Sequence, residues 1–85
     1  MTYAVLFKPS VKKAFDRLPL DVRRRVASKI NGLAQNPFPP GVVKLAGEES
    51  TYRIRIGDYH VIYDVLREQV VVLVLRIGHR REAYR

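Results

Sequence analysis

The chain has 85 residues, 47% of them hydrophobic, which is enough for one small domain spanning residues 1–85 with a single core. It has no cysteine, so a disulfide or thiolate metal site is excluded, and no apolar run approaches the roughly 20 residues of a membrane span. The net charge of +8 predicts a polyanionic partner: nucleic acid, a ribosomal surface or an acidic protein. The plainer interpretation is that the charge serves solubility. The first residues lack the basic segment and cleavage site of a signal peptide, so we expect a cytoplasmic protein that does not bind membranes.

The first half of the chain predicts a strand over residues 3–7, which are apolar and β-favouring, followed by two helices. Pro9-Ser10 is expected to open the first helix, with Ser10 as its cap. Its apolar residues recur at helical spacing and are Val11, Ala14, Phe15 and Leu18. Leu18-Pro19 separates it from a second helix that ends at Asn36-Pro37 and carries the apolar stripe Val22, Val26, Ile30 and Leu33. Helices joined by about two residues are expected to form an antiparallel hairpin.

The second half of the chain predicts three strands. Residues 36–43 are rich in proline and are expected to be a connector. Residues 51–57 alternate apolar and basic side chains, Gly57-Asp58 suits a two-residue type II′ turn, and residues 59–66 form the returning strand. Residues 70–77 are apolar on both faces, as in a covered central strand. We therefore expect a small α+β domain in which a helical hairpin packs on a mainly antiparallel sheet.

The predicted hairpin places three polar side chains on one face of the sheet. With Gly57-Asp58 as the loop, Arg55 opposes His60 and Arg53 opposes Ile62, and directly opposed side chains lie about 5 Å apart at Cβ. Facing cations repel each other and favour a neutral His60, so the cluster suits a bound anion. From residue 51 onward every Lys or Arg is an arginine, whose planar fork suits phosphate. The alternative is an ordinary solvated face.

The C-terminal residues add a second polar group. Gly78-His79-Arg80 is expected to leave from the end of the last strand, and Tyr84 supplies a ring that can stack on a base. The alternative is a frayed basic terminus. Acidic residues are scattered, whereas two-metal nuclease chemistry needs a carboxylate cluster. Any nuclease activity is therefore expected to need neither a metal nor another cofactor.

Four segments resemble the RelE/ParE superfamily of bacterial type II toxin–antitoxin toxins: residues 44–47, 52–55, 57–63 and 78–85. The resemblance covers nearly the whole chain and implies the RelE-like fold. For RelE-type members it implies ribosome-dependent cleavage of mRNA, in which the 2′-hydroxyl attacks the adjacent phosphate. It also implies a cognate antitoxin, acidic and partly disordered when free. ParE-type members share the fold and target DNA gyrase.

The resemblance also implies residue roles. The catalytic residues it indicates are Arg53, Arg55, His60, His79, Arg80 and Tyr84. Those it indicates for contact with RNA phosphates are Lys44, Arg53, Arg55, Arg80 and Arg81. Well-studied RelE toxins carry lysines where this chain has Arg53 and Arg55; guanidinium stays protonated, so His60 or His79 is the better base. The alternatives are a ParE-like gyrase inhibitor without nuclease activity and a basic RNA-binding module without catalysis.

Overall fold

The computed structural model describes residues 2–79, which form two helices and one five-stranded sheet. In chain order the elements are β1 (Ala4–Phe7), α1 (Pro9–Asp16), α2 (Leu20–Gln35), β2 (Val43–Lys44), β3 (Thr51–Ile56), β4 (Tyr59–Leu66) and β5 (Val71–His79). The strand order in the sheet is β1-β5-β4-β3-β2. Strand β1 runs parallel to β5, and the other neighbours are antiparallel. The predicted α+β architecture is confirmed, with a short edge strand, β2, added where the proline-rich connector ends.

The two helices begin and end close to the predicted positions. Pro9 begins α1, since its fixed φ suits the first helical turn. The prediction that Ser10 caps this helix is wrong: Lys8 occupies the cap position without a side-chain cap hydrogen bond, and Ser10 lies inside the helix. Leu18 lies in the loop before α2 and still packs against the core. Within residues 2–79, neither helix is long and apolar enough to cross a membrane.

The helices run antiparallel and cover one face of the sheet. Nη1 of Arg23 donates to the carbonyl oxygen of Asp16 at 3.2 Å, so the start of α2 lies beside the end of α1. Lys12 lines the same groove as Asn31, which places the middle of α1 beside the second half of α2. The predicted α2 stripe is buried in full. The sheet contributes Ile54, Ile56, Val61, Tyr63, Val65, Val72, Val74 and Ile77 to the core.

Aromatic packing fixes the proline-rich connector to the sheet. The buried hydroxyl of Tyr63 donates to the carbonyl oxygen of Pro37 at 2.7 Å. Phe38 packs edge-on against Tyr52 with ring centroids 5.1 Å apart, and Tyr52 stacks on Tyr63. Cζ of Arg67 lies 4.9 Å from the centre of the Phe38 ring, within the range of a cation–π contact. Burial, and secondarily the neighbouring Tyr52, raises the pKa of Tyr63 to about 12, so its hydroxyl remains a donor at neutral pH.

Strand β5 contains a β-bulge. Ile62 of β4 pairs with Arg76, whereas the next residue, Tyr63, pairs with Val74. Leu75 is therefore an extra residue on β5, and the alternation of side chains changes phase there. Val74, before the bulge, is fully buried, while Arg76, two residues later, is exposed.

Candidate nucleic-acid interface

The β3–β4 hairpin has the register predicted from the sequence. Arg55 pairs with His60 and Arg53 pairs with Ile62. Gly57 has a φ of 60°, the left-handed conformation that the first central residue of a type II′ turn requires. The neighbouring core residues of these strands point to the helices, so the polar group lies on the opposite side. We call this side the outer face and define it by Arg53, Arg55, His60, Ile62 and Arg76.

His60 lies at the centre of the outer face. It pairs with Arg55 on one side and with Gly78 on the other, and its side chain is only 3% exposed. Burial lowers the pKa of His60 below its ordinary value, and the charges of Arg53 and Arg55 lower it further. The imidazole is therefore neutral at pH 7. A neutral imidazole has one nitrogen that can accept a proton, as a general base must.

Arg55 is held at the hairpin turn. Its Nε donates to the carbonyl oxygen of Gly57 at 3.0 Å, which uses one of the five N–H donors of the guanidinium. A second arginine reaches the same turn from α2, since a Cβ atom added at Gly57 would lie 3.2 Å from Nη1 of Arg25. Arg25 was not predicted to lie here, because a helical stripe pattern does not show which loop its polar face meets.

Arg76 is a further outer-face residue that the sequence analysis missed. It pairs with Ile62, which in turn pairs with Arg53, so the three side chains form one row across the sheet. The signal in the sequence was that Arg76 is the one charged residue between Val70 and His79. A charged side chain in so apolar a run is expected to point away from the core.

His79 lies on the other side of the sheet from His60. It is the last residue of β5 and pairs with Tyr59, with ring centroids 5.3 Å apart and planes at 82°. With Ala14 and Arg17 it lines an open groove of about 320 Å³ at the C-terminal end of α1. The expectation that His79 leaves from the end of the strand is wrong, because the strand continues through it.

The remaining predicted site residues lie elsewhere. Lys44 pairs with Tyr52, whose ring packs on the helix side, so Lys44 does not join the outer face. It lines a cleft of about 460 Å³ together with Arg67. The predictions for Arg80, Arg81 and Tyr84 fall outside the described residues.

The carboxylates of residues 2–79 do not form a cluster that could bind a metal ion. Between residues 2 and 79 no group of three or more His, Cys, Asp or Glu side chains is placed to hold a metal ion. Asp64, which pairs with Thr51 and lies on the same side of the sheet as the outer face, accepts a hydrogen bond from the Thr51 hydroxyl. The ion pair between Lys12 and Asp16 lies on α1, away from this face.

Comparison with known proteins identifies the family. The model for the ParE toxin of the type II toxin–antitoxin system, parDE, matches residues 5–84. This chain belongs to the RelE/ParE superfamily of toxins. The resemblance found in the sequence is thereby confirmed, and the protein is a RelE-like toxin of the toxin–antitoxin class.

Relatives named RelE match over nearly the full length of the chain. The putative toxin RelE1 of Methanocaldococcus jannaschii is 30% identical over 88 residues, which covers 100% of this chain and 98% of the relative. The mRNA interferase toxin RelE of Escherichia coli K12 is 28% identical, covering 98% of this chain and 88% of the relative. Among solved structures, RelE in the archaeal RelE–RelB complex from Pyrococcus horikoshii is 36% identical with a TM-score of 0.84, covering 94% and 97% of the two chains.

Proposed function

We propose that this toxin is a ribosome-dependent mRNA endonuclease that inhibits translation. The observation that carries the proposal is the placement of neutral, buried His60 beside Arg53 and Arg55 on one sheet face. The relative from E. coli named an mRNA interferase supports it at 28% identity. A base flanked by fixed cations is what cleavage of a phosphodiester by its own 2′-hydroxyl requires.

The reaction needs a base for the 2′-hydroxyl, cations that stabilise the phosphorane, and groups that hold the RNA in place. His60 takes the proton of the 2′-hydroxyl, and the resulting oxyanion attacks the adjacent phosphorus. The O2′–P bond forms while the P–O5′ bond breaks, leaving a 2′,3′-cyclic phosphate and a 5′-oxygen that takes up a proton from solvent water. Arg53 and Arg55 stabilise the charge that develops on the phosphorane oxygens. We keep Arg80 and Tyr84 in their predicted roles of charge stabilisation and base stacking, with Arg81 as a phosphate contact.

His60 is preferred over His79 as the base because of where each lies. His60 shares its face with both arginines of β3, whereas His79 packs against Tyr59 on the helix side. One phosphodiester cannot contact both faces of a sheet at once. We further propose that the reaction needs no metal, since its charges are supplied by guanidinium groups and its proton acceptor is imidazole.

A cognate antitoxin is the proposed protein partner. The similar structure from Pyrococcus horikoshii is a complex of RelE with RelB. A chain of net charge +8 attracts an acidic segment, and a segment that is disordered when free can wrap a small domain as it folds. Neutralising Arg53 and Arg55 in this way would block access of mRNA phosphates to the outer face.

Inhibition of DNA gyrase is the second candidate function, because the matching family model is that of ParE toxins. Arginines at 53 and 55 are compatible with it, since a guanidinium does not serve as a base. A basic module that binds RNA without cutting it is the third candidate. It predicts binding to ribosomes with no cleavage product.

One experiment separates these functions. Purified toxin is incubated with ribosomes carrying a labelled mRNA, the products are mapped, and the same preparation is tested for inhibition of gyrase supercoiling. We expect a product with a 2′,3′-cyclic phosphate and a partner with a free 5′-hydroxyl, and unchanged supercoiling. Uncut mRNA with inhibited gyrase would instead establish the ParE-like function.

A further inference from the structure

The bulge at Leu75 determines which side of the sheet receives Arg76. In a regular strand, residues two apart share a face. Val72 and Val74 are both fully buried on the helix side, so an unbroken β5 would also direct Arg76 beneath the helices. The bulge inserts one residue and reverses the alternation, which brings Ile77 into the core and Arg76 to the outer face.

The bulge places Arg76 next to the proposed reaction site. Bulges commonly lie near functional sites, where they redirect a side chain. Arg53, Ile62 and Arg76 form one row across three strands, which at normal strand spacing places the two arginine Cα atoms about 10 Å apart. Arg55, His60 and Gly78 form the neighbouring row. The exposed Arg76 therefore extends the cationic surface across β4, on the side of His60 away from β3.

We propose that Arg76 is a third phosphate-binding arginine, which holds an RNA phosphate next to the one that is cleaved. The proposal rests on the proposed RNA-binding function of the outer face. Single-stranded RNA is bound by basic surfaces that follow its backbone over several nucleotides. Arginine heads on both sides of His60 fix the direction in which the strand crosses the sheet. Arg76 is a positioning residue here, since it acts on the phosphate beside the reacting one.

The test measures binding to ribosomes programmed with an mRNA whose A-site codon carries 2′-methoxy groups and cannot be cut. The variants are Arg76→Ala, Arg76→Lys and Arg53→Ala. Arg24→Ala removes the same charge from an exposed position on α2 and is the matched control. The dissociation constant is measured over a series of KCl concentrations, and urea unfolding of each variant shows whether it is folded.

We expect Arg76→Ala to raise the dissociation constant about tenfold, as for a lost hydrogen bond to a charged group. The slope of log K against log salt should fall by about one. Arg76→Lys should retain most of the slope and lose affinity, because an ammonium keeps the charge without the bidentate fork. Arg24→Ala should leave both quantities nearly unchanged. If Arg76→Ala does not fold, the Arg76→Lys variant provides the test. A loss of affinity with an unchanged salt slope in that folded variant supports the phosphate contact.

The outcomes separate this inference from the proposed function. If Arg53→Ala weakens binding and the Arg76 variants do not, Arg76 has no phosphate contact and the RNA-binding function stands. If neither position matters, the outer face does not bind RNA and both proposals fail. If Arg24→Ala lost as much ribosome affinity as Arg76→Ala, the effect would come from net charge alone, and the specific role of Arg76 would be wrong.

Discussion

His60 and His79 lie on opposite faces of the sheet, although the strands that carry them, β4 and β5, are neighbours. His60 pairs with Gly78, the residue directly before His79, and successive residues of a strand point to opposite sides. The bulge at Leu75 produces this separation, since an unbroken alternation from Val74 would direct His79 to the face of His60. The two histidines therefore cannot share one active site through the sheet.

This separation gives a direct test of which histidine is the base. On fully bound ribosomes, His60→Ala should lower the single-turnover cleavage rate by about 10²–10⁴-fold, the usual contribution of a general base. His79→Ala should change the rate far less, because its ring contacts Tyr59 on the helix side. A large loss in His79→Ala with normal cleavage in His60→Ala would reverse the assignment. If neither variant loses tenfold, histidine is not the base.

Arg53 and Arg55 should act together on phosphate. We expect the double substitution to alanine to flatten the salt dependence of ribosome binding by about 1.5 units of log–log slope, as for two lost phosphate contacts. The double substitution to lysine should keep the slope and support cleavage, because lysine is a charged phosphate ligand that can also transfer a proton. Arg24→Ala combined with Lys29→Ala on α2 removes the same charge from exposed positions. An unchanged slope in the Arg53/Arg55 alanine variant would place the anion site elsewhere.

Tyr63 should be important for stability rather than for chemistry. Tyr63→Phe leaves the buried carbonyl oxygen of Pro37 without its donor at 2.7 Å, which should cost about 1–3 kcal/mol in the free energy of unfolding. Tyr52→Phe is the control, since it removes a hydroxyl from the same aromatic cluster and keeps the ring stacking. Urea unfolding measures both. Equal stability of Tyr63→Phe and the unaltered protein would show that this hydrogen bond contributes little.

The hairpin and the second helix were predictable from the sequence because polar and apolar residues alternate there, which shows which side of each element is buried. Alternating arginine and isoleucine identify the two faces of β3, and Gly57-Asp58 fixes the register of β4. The α2 stripe repeats at helical spacing for about three turns. In both cases the polar residues show which side is exposed.

The bulge and the strand β2 were not predictable because their residues show no alternation of polar and apolar side chains. Residues 70–75 are all Val or Leu, so inserting one residue changes the faces without changing the pattern. Strand β2 contains only Val43 and Lys44, too short for an alternation to be recognised. The faces on which His79 and Arg76 lie both depend on the bulge. The sequence analysis therefore grouped His79 with the site and left Arg76 out of it.

The environment of His60 predicts how the cleavage rate depends on pH. Burial and the charges of Arg53 and Arg55 lower its pKa below the ordinary value of 6.5, so the imidazole, which we propose as the base, is already deprotonated at neutral pH. The cleavage rate should therefore rise with pH along a limb centred below 6.5 and level off above it. Arg53→Gln removes part of the repulsion and should move the limb to higher pH, still below 6.5 because burial remains. Arg24→Gln should leave it in place.

The lowered pKa of His60 also makes the stability of the fold depend on pH. Since the pKa of His60 is lower in the folded protein than in the unfolded chain, the unfolded chain binds more protons between the two values. The contribution of His60 to stability is therefore present above pH 6.5 and is lost as the pH falls towards the folded-state pKa. Urea unfolding between neutral and mildly acidic pH should show this loss in the unaltered protein and a smaller one in His60→Gln. NMR titration of the His60 ring should give a pKa below 6.5, and a value at or above it would remove the basis for both effects.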